Sequence, residues 1–559
     1  MAEALVRRGH GAGEPLTRWL EPRLAHLTPP DAMADRTAAA ERIAHAIRTH
    51  ERIAVFGDYD CDGMTATALL TEVVEELGGE AVALCASRFA GGYGLSAPAL
   101  ARVRASGASL LVTCDCGSTD HERLAAARAA GIDAVVIDHH LVPDEPLPAV
   151  AFLNPNRPGC GFPYKGLASC GLALSIAAEL RRLCGRELDL RRWLDLVAIG
   201  TIADVAPLDG DNRILVRAGL ARLCGAGLRP GLAALAARLP ARLRPIAEDV
   251  AFRVAPRLNA PGRLGDPALA LELLLCREPA RAVELAAELD ALNQRRRDLG
   301  QRMEAEAVAD VEAAGHASLP AIVVGREGWS PGVVGIVAGR LAARYGKPAL
   351  VIALEGGRGV GSARGPAGVR LHDALVSTAD LLVRFGGHQA AAGLEIETPR
   401  LAAFRERFCA AFADAAAADV GPAAADVRLD PRDDVSQVLG DLERLEPCGQ
   451  KNPAPRLFVA AAEVKSCRPV KGHLRLDLTW EGRRLTGFAP DEGARAAELA
   501  GRRVDVVGRL QRSSYVPRSA PSWGGGASSG ASPVGVGARG GAEVELLVEH
   551  VAPRAGGGT

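Results

Sequence analysis

Between residues 52 and 155, apolar runs alternate with stretches whose apolar positions recur every three or four residues. "RIAVF", "SLLVT", "DAVVI" and "AVAFL" read as strands, each bounded by turn-forming or charged residues. Residues 65–77, between the first two, carry helical spacing and run into Gly78 and Gly79, which predicts a helix with a glycine stop. "DHERLAAARAAG" predicts a second, shorter helix closed by Gly131. Strand and helix alternating in this way specify an α/β domain with a parallel sheet and right-handed crossovers.

The residues at the carboxyl ends of these strands point to chemistry. The first strand runs into Asp58, Asp60 and Asp62, the second into Asp115, and the third into Asp138, His139 and His140. In an open α/β sheet the carboxyl ends of the strands share one rim, where ligands bind, so these residues are expected to converge. "WLDLVAIGTIADV", a buried helix or strand, brings Asp204 to the same place. Carboxylates crowded together repel and have their pKa values forced up unless cations neutralise them. A set dominated by carboxylate oxygen with some imidazole suits Mn²⁺ or Mg²⁺ better than Zn²⁺. Two such ions about 4 Å apart can clamp the attacking and leaving oxygens of a phosphoryl centre. "SRFAGGYGLS" places Arg88 and Tyr93 on a loop after another short strand, where a cation faces the acids.

Residues 268–314 read as almost wholly helical, a connector between two lobes. A second, smaller α/β pattern comes next: strand "AIVVG", a helix over "SPGVVGIVAGRLAARYG", then strands "PALVIA" and "RGVGSARG". A helix is expected to end near Arg384, before the diglycine of "RFGGHQAAAG". Ser362 and Arg364, with the amides of Gly386 and Gly387 and with His388, are the parts of a phosphate pocket. Beyond residue 429, "RLFVAAAEV", "HLRLDLTW", "RRLTGFA", "RRVDVVGRL" and "EVELLVEHV" give five strands, the size of an OB-type β-barrel that binds single strands. A Gly/Ser-rich insertion at 516–542 is expected to be disordered. Aromatic residues available for stacking there are few, namely Phe458, Trp480, Phe488 and Tyr515, so backbone electrostatics should dominate its contacts.

Composition narrows the function classes. Sixty-six Lys and Arg against 67 Asp and Glu leave a net charge of −1, so any polyanion must be held by a local cleft. The N-terminus lacks an apolar signal region and no run is long enough for a membrane span, so a soluble, cytoplasmic protein without membrane partners is expected. The 12 cysteines include no CxxC pair, which argues against a zinc ribbon.

"GDYDCDGMTATALL", "VTCDCG", "VIDHHLV" and "AIGTIADVAPL" occur in the order found in the DHH phosphoesterase superfamily, which the chain resembles. With the terminal barrel, it is similar to the RecJ family of single-strand-specific 5′ to 3′ exonucleases. The resemblance implies metal ligation by Asp60, Asp62, Asp115, His139 and Asp204, with Asp58 and His140 as ligands or support. It also implies Asp138, His139, His140 and Asp62 as the catalytic group. Ser362, Arg364 and His388 would hold a 5′-phosphate, and Arg257 and Arg263 of "RVAPRLNAPGRLG" would contact the DNA backbone. The family usually has Ala at the place of Cys61 and Asn at that of Cys116, and neither difference removes a ligand. The domains expected are an N-terminal segment 1–50, a DHH domain 51–267, a connector 268–315, a DHH-associated domain 316–425 and an OB domain 430–555. The implied activity is release of 5′-mononucleotides from single-stranded DNA in repair and recombination, with a single-strand-binding protein and a helicase as candidate partners. Two alternatives stand beside it: a relative acting on short oligoribonucleotides or cyclic dinucleotides, and a non-catalytic replication scaffold. The terminal barrel disfavours the first and the complete ligand set the second.

Overall fold

The fold comes from a computed structural model, which describes residues 2–240, 243–366, 368–387, 391–413, 425–513 and 544–554. The chain divides into two compact units: residues 22–420 with 449–452, and residues 1–21, 421–448 and 453–559.

The first unit is built on a parallel sheet of order β2-β1-β3-β4-β5. It comprises β1 (Arg52–Gly57), β2 (Glu80–Cys85), β3 (Leu110–Cys114), β4 (Asp133–Ile137) and β5 (Ala151–Leu153). Alternation along these strands sorts their side chains into two cores. Ile53, Val55, Leu110, Val112, Val135 and Ile137 enter one. Ala54, Phe56, Leu111, Ala134 and Val136 enter the other. Both faces are covered, which is why the strands read as continuous apolar runs.

Helix α1 (Cys61–Glu76) follows β1, and begins four residues before the expected start. Asp60 caps it, accepting from the Asp62 and Gly63 amides at 3.0 and 3.2 Å. Helices α2 (Ser169–Cys184) and α3 (Leu194–Ala203) pack against α1. "WLDLVAIGTIADV" is thus resolved as helix, and Asp204 stands at a helix C-terminus rather than a strand end.

The connector contains a 35-residue helix, α4 (Pro279–Ala313). Its apolar stripe is shared: Leu285, Ala286 and Leu289 join the core of the parallel sheet, and Met303, Ala307 and Val311 join that of the next α/β domain. That domain has sheet order β6-β7-β8-β10-β9, with β6 (Ile322–Glu327), β7 (Ala349–Glu355), β8 (Arg358–Arg364), β9 (Leu382–Gly387) and β10 (Ala391–Glu397). Helix α5 (Val334–Tyr345) packs on β7 and β8. The helix expected to end near Arg384 is instead edge strand β9, paired with β10 from Leu382 to Gly387.

The second unit contains a closed five-stranded barrel. β12 (Leu457–Val470), β13 (His473–Trp480), β14 (Arg483–Ala489), β16 (Val544–Pro553) and β15 (Arg503–Arg512) come in that spatial order, and β12 pairs with β15 to close it. Short β11 (Val427–Arg428) extends β12 in parallel. All five strands read from the sequence are present.

Candidate metal centre and nucleic-acid site

The backbone ladder continues one rung past β1, β3 and β4 of the parallel sheet. Asp58 N–H donates to Cys114 O at 3.2 Å, Asp115 N–H to Ile137 O at 2.9 Å, and Asp138 N–H to Leu153 O at 3.0 Å. Three carboxylates from three strands therefore stand at one level of the rim. Asp115 reaches it with φ +63°, a left-handed conformation that Asp tolerates better than most residues. The α1 start presses onto β1: a Cβ on Gly63 would lie 2.5 Å from Asp58 N and 2.7 Å from Asp58 O. Gly200 of α3 is equally constrained, since a Cβ there would come within 2.8 Å of Asp62 Oδ1.

His139 Nε2 is the hub. It lies 3.1 Å from Asp115 Oδ1, 3.8 Å from Asp204 Oδ2 and 3.9 Å from Asp62 Oδ2. Asp62 is fully buried, and its two oxygens accept the Ser169 and Cys170 amides at 2.7 and 3.0 Å, at the N-terminus of α2. Ser169 Oγ also donates to Asp115 Oδ1 at 3.2 Å. These anchors escaped the sequence reading because Ala168, the N-cap of α2, carries no capping side chain.

Asp138 faces His140. His140 Nδ1 lies 2.8 Å from Asp138 Oδ1, which also accepts the His139 and His140 amides, while Ser118 N–H donates to Asp138 Oδ2 at 3.0 Å. Tyr93 Oη donates to Asp115 O at 3.0 Å and sits 3.0 Å from His140 Nδ1. Asn154 and Asn156 donate to the His140 and His139 carbonyls at 2.9 and 2.7 Å, so the DHH backbone is held from behind.

The electrostatics separate two kinds of acid. Burial, and then Asp60, push Asp58 well above the usual carboxylate range. Burial, then Asp60, Asp62 and Asp204, do the same to Asp115. Asp62 is raised by burial, and Asp204 is pushed up to about 8 by burial, Asp62 and Asp60. Asp138 differs: burial opposes its charge, but the His140 contact and the Ser118 bond hold it at about 2. Burial would lower His140, yet the hydrogen bond to Asp138 raises it to about 9. Burial lowers His139, favouring the neutral imidazole that a ligand must be.

Divalent cations fit this set. Asp115, His139 and His140, then Asp62, His139 and Asp204, then Asp58, Asp60 and Asp115 each bring three donor atoms within 4.8 Å of one another. Asp58 Oδ1 is buried with no hydrogen-bond partner, an orphan that a cation would satisfy. The donors are hard oxygen and imidazole. Cys114 and Cys116 are buried and burial raises both thiols, so thiolate ligands are disfavoured. Cys61 is buried too, its Sγ 3.6 Å from Ala255 O.

A cationic group adjoins the acids. The Arg88 guanidinium lies over the Tyr59 ring at 4.4 Å, and its Nε is 3.4 Å from Gly262 O. Arg263 Nη1 donates to Gly332 O at 3.3 Å. Burial, then Arg88, Arg296 and Arg364, lower Arg263 to about 10, so these guanidinia share one field. Ser362 and Arg364 converge on the start of α5: a Cβ on Gly335 would lie 3.2 Å from Arg364 Nη2 and 3.3 Å from Ser362 Oγ. Arg296 was missed by the sequence reading, although it stands in the conspicuous run "RRR". Gly386 and Gly387 end edge strand β9, while His388 lies outside the described residues. Arg257, expected at the DNA backbone, is tied into the fold: its guanidinium donates to Asp290 Oδ1 at 2.9 Å and to Arg253 O at 2.7 Å. On the barrel, Trp480 is buried with Nε1 donating to Ala460 O at 3.1 Å, which removes it as a stacking platform. Tyr515 and the insertion lie outside the described residues.

The DHH family N-terminal domain matches residues 52–201, the DHHA1 domain residues 318–414 and the RecJ OB domain residues 425–522. The single-stranded-DNA-specific exonuclease RecJ of Salmonella typhimurium is 37% identical over 534 residues, covering 89% of this chain and 92% of that protein. This chain belongs to the RecJ family. The RecJ of Bacillus subtilis is 34% identical over 533 residues; the match covers 93% of this chain and 66% of that longer relative. The structure of Thermus thermophilus RecJ in complex with Mn²⁺ superposes with a TM-score of 0.79 at 30% identity, covering 99% of this chain and 76% of that one. A RecJ structure from the same organism in complex with Mg²⁺ gives 0.72 at 28% identity, covering 99% and 74%. Among the described residues no helix is long and apolar enough to cross a membrane.

Proposed function

We propose that this chain is a 5′ to 3′ exonuclease that releases 5′-mononucleotides from single-stranded DNA, with Mn²⁺ or Mg²⁺ held by Asp58, Asp60, Asp62, Asp115, His139 and Asp204. The observation that carries it is the single rim: acids from separate strands and helices within reach of one imidazole, with a buried carboxylate oxygen left unpartnered. Bound there, divalent cations neutralise the acids, lower the pKa of water and polarise a phosphoryl oxygen. The protein's own groups do the rest. Ser169, Cys170 and the Asp60 cap hold the carboxylates in place, so little reorganisation is needed when a phosphate enters. Asp138 holds His140 by a 2.8 Å contact and, in the metal-free protein, raises it to about 9, so an imidazole oriented for proton transfer stands beside Tyr93 at the edge of the rim. Ser362 and Arg364, with Arg88 and Arg263 nearby, offer hydroxyl and guanidinium donors to a terminal phosphate, and a phosphate fixed there sets polarity.

The test is digestion of end-labelled single strands with Mn²⁺, with and without a 5′-phosphate. Asp138→Ala and His139→Ala should each lose more than about 100-fold in kcat/KM, as expected when a ligand or its supporting group is removed. Unchanged digestion by His139→Ala would remove the metal assignment.

A further inference from the structure

Helix α3 ends in a hydrogen-bond pattern that ordinarily calls for glycine. Ala206 N–H donates to Thr201 O and Val205 N–H to Ile202 O, both at 3.2 Å. These are the paired bonds of a Schellman cap, whose left-handed position is usually Gly because any Cβ is crowded there. The residue in that position is Val205, with φ +60°. Among the described residues it is the one β-branched side chain with positive φ, a steric outlier. Packing does not explain it, since Val205 is 67% exposed. The fold therefore carries backbone strain for a side chain that gives the core nothing.

Its position supplies a reason. Val205 follows Asp204, whose Oδ2 is 3.8 Å from His139 Nε2. Leu141, two residues beyond His139, is 71% exposed. Next in the chain to one of the acids and two residues beyond the imidazole, two apolar side chains thus stand exposed. A phosphodiester held at the rim carries a nucleoside on either side, and the faces of the bases are the broadest apolar surfaces a single strand offers. We infer that Val205 is a platform for the nucleobase adjoining the scissile phosphate, and that its strain is stability given up for substrate positioning. The inference rests on the exonuclease reading above.

The test compares wild type with Val205→Gly and Val205→Thr. Val205→Gly should melt about 1–3 °C higher, because glycine accepts the left-handed turn. Its KM for single-stranded DNA should nevertheless rise about ten-fold, the scale of losing one small apolar contact. Its Mn²⁺ affinity by calorimetry should stay unchanged, because Asp204 keeps its place. Val205→Thr, which retains branching and strain, should show no rise in melting temperature and a smaller increase in KM. On strands whose two terminal nucleotides are abasic, wild type and Val205→Gly should converge. Equal KM on ordinary strands, a KM penalty that persists on abasic ends, or a parallel loss of Mn²⁺ affinity would each overturn the platform; the last would mean that Val205 acts only through Asp204. If the wild type binds single strands without cutting them, the exonuclease reading falls, and the Kd values of the same two strands still decide for or against the platform.

Discussion

At the scale of single residues, the site is a contest between burial and charge. Asp58, Asp62, Asp115 and Asp204 are all raised, Asp204 to about 8, so in the metal-free protein some of them carry protons at neutral pH. Their folded pKa values exceed the unfolded ones, so the stability they contribute is complete at low pH and is lost as pH climbs toward 8. The metal-free protein should therefore melt progressively lower between pH 5 and pH 8, and Mn²⁺ should raise the melting temperature more at pH 8 than at pH 5. Cation binding at pH 7 should also expel at least about one proton, read by calorimetry in buffers of different ionisation heat, and fewer at pH 9. Asp138 runs the other way. Held at about 2, it is ionised throughout this range and contributes nothing to that slope. In the cationic group, Arg364→Ala should raise KM about ten-fold for strands with a 5′-phosphate and much less for 5′-hydroxyl strands, checked by steady-state digestion of the two.

At the scale of elements, what was legible in the sequence was whatever periodicity alone decides. Among the barrel strands β13 alternates cleanly, burying every second residue, and the strand limits fall within two residues of those expected except at β12, which runs on to Val470. The parallel strands were equally plain, and with them the convergence of Asp58, Asp115 and Asp138. Helix α3 was ambiguous because it is buried all round: every residue from Leu194 to Ile202 is inside, so no polar face reveals a helical period. The diglycine of "RFGG" was misread because glycine stops helices and also ends strands, and only the pairing of β9 with β10 distinguishes them. The amides of Ser169 and Cys170 left no trace at all, since backbone donors have no letter in a sequence. The β1–α1 junction gives a sharp prediction. Gly63→Ala would drive a Cβ into the Asp58 backbone, so it should cost about 2 kcal/mol or more in chemical denaturation and weaken Mn²⁺ binding as well.

At the scale of the whole molecule, net charge of −1 leaves substrate capture to local fields. Affinity for single strands should therefore fall at least about ten-fold between 50 and 200 mM salt, measured by fluorescence anisotropy. Duplex ends should be cut far more slowly than single strands, and equal rates on the two would count against a strand-wide site. The barrel carries a further consequence of a practical kind. β15 and β16 pair antiparallel along nearly their whole length, and the barrel is closed elsewhere by β12 with β15. Residues 513–543 therefore join two neighbours that are already zipped together. The closure entropy of such a connection grows only logarithmically, so trimming it to a tight hairpin should gain no more than about 2.5 kcal/mol. Conversely, a reporter domain with adjacent termini could be spliced into that junction while the barrel keeps its register.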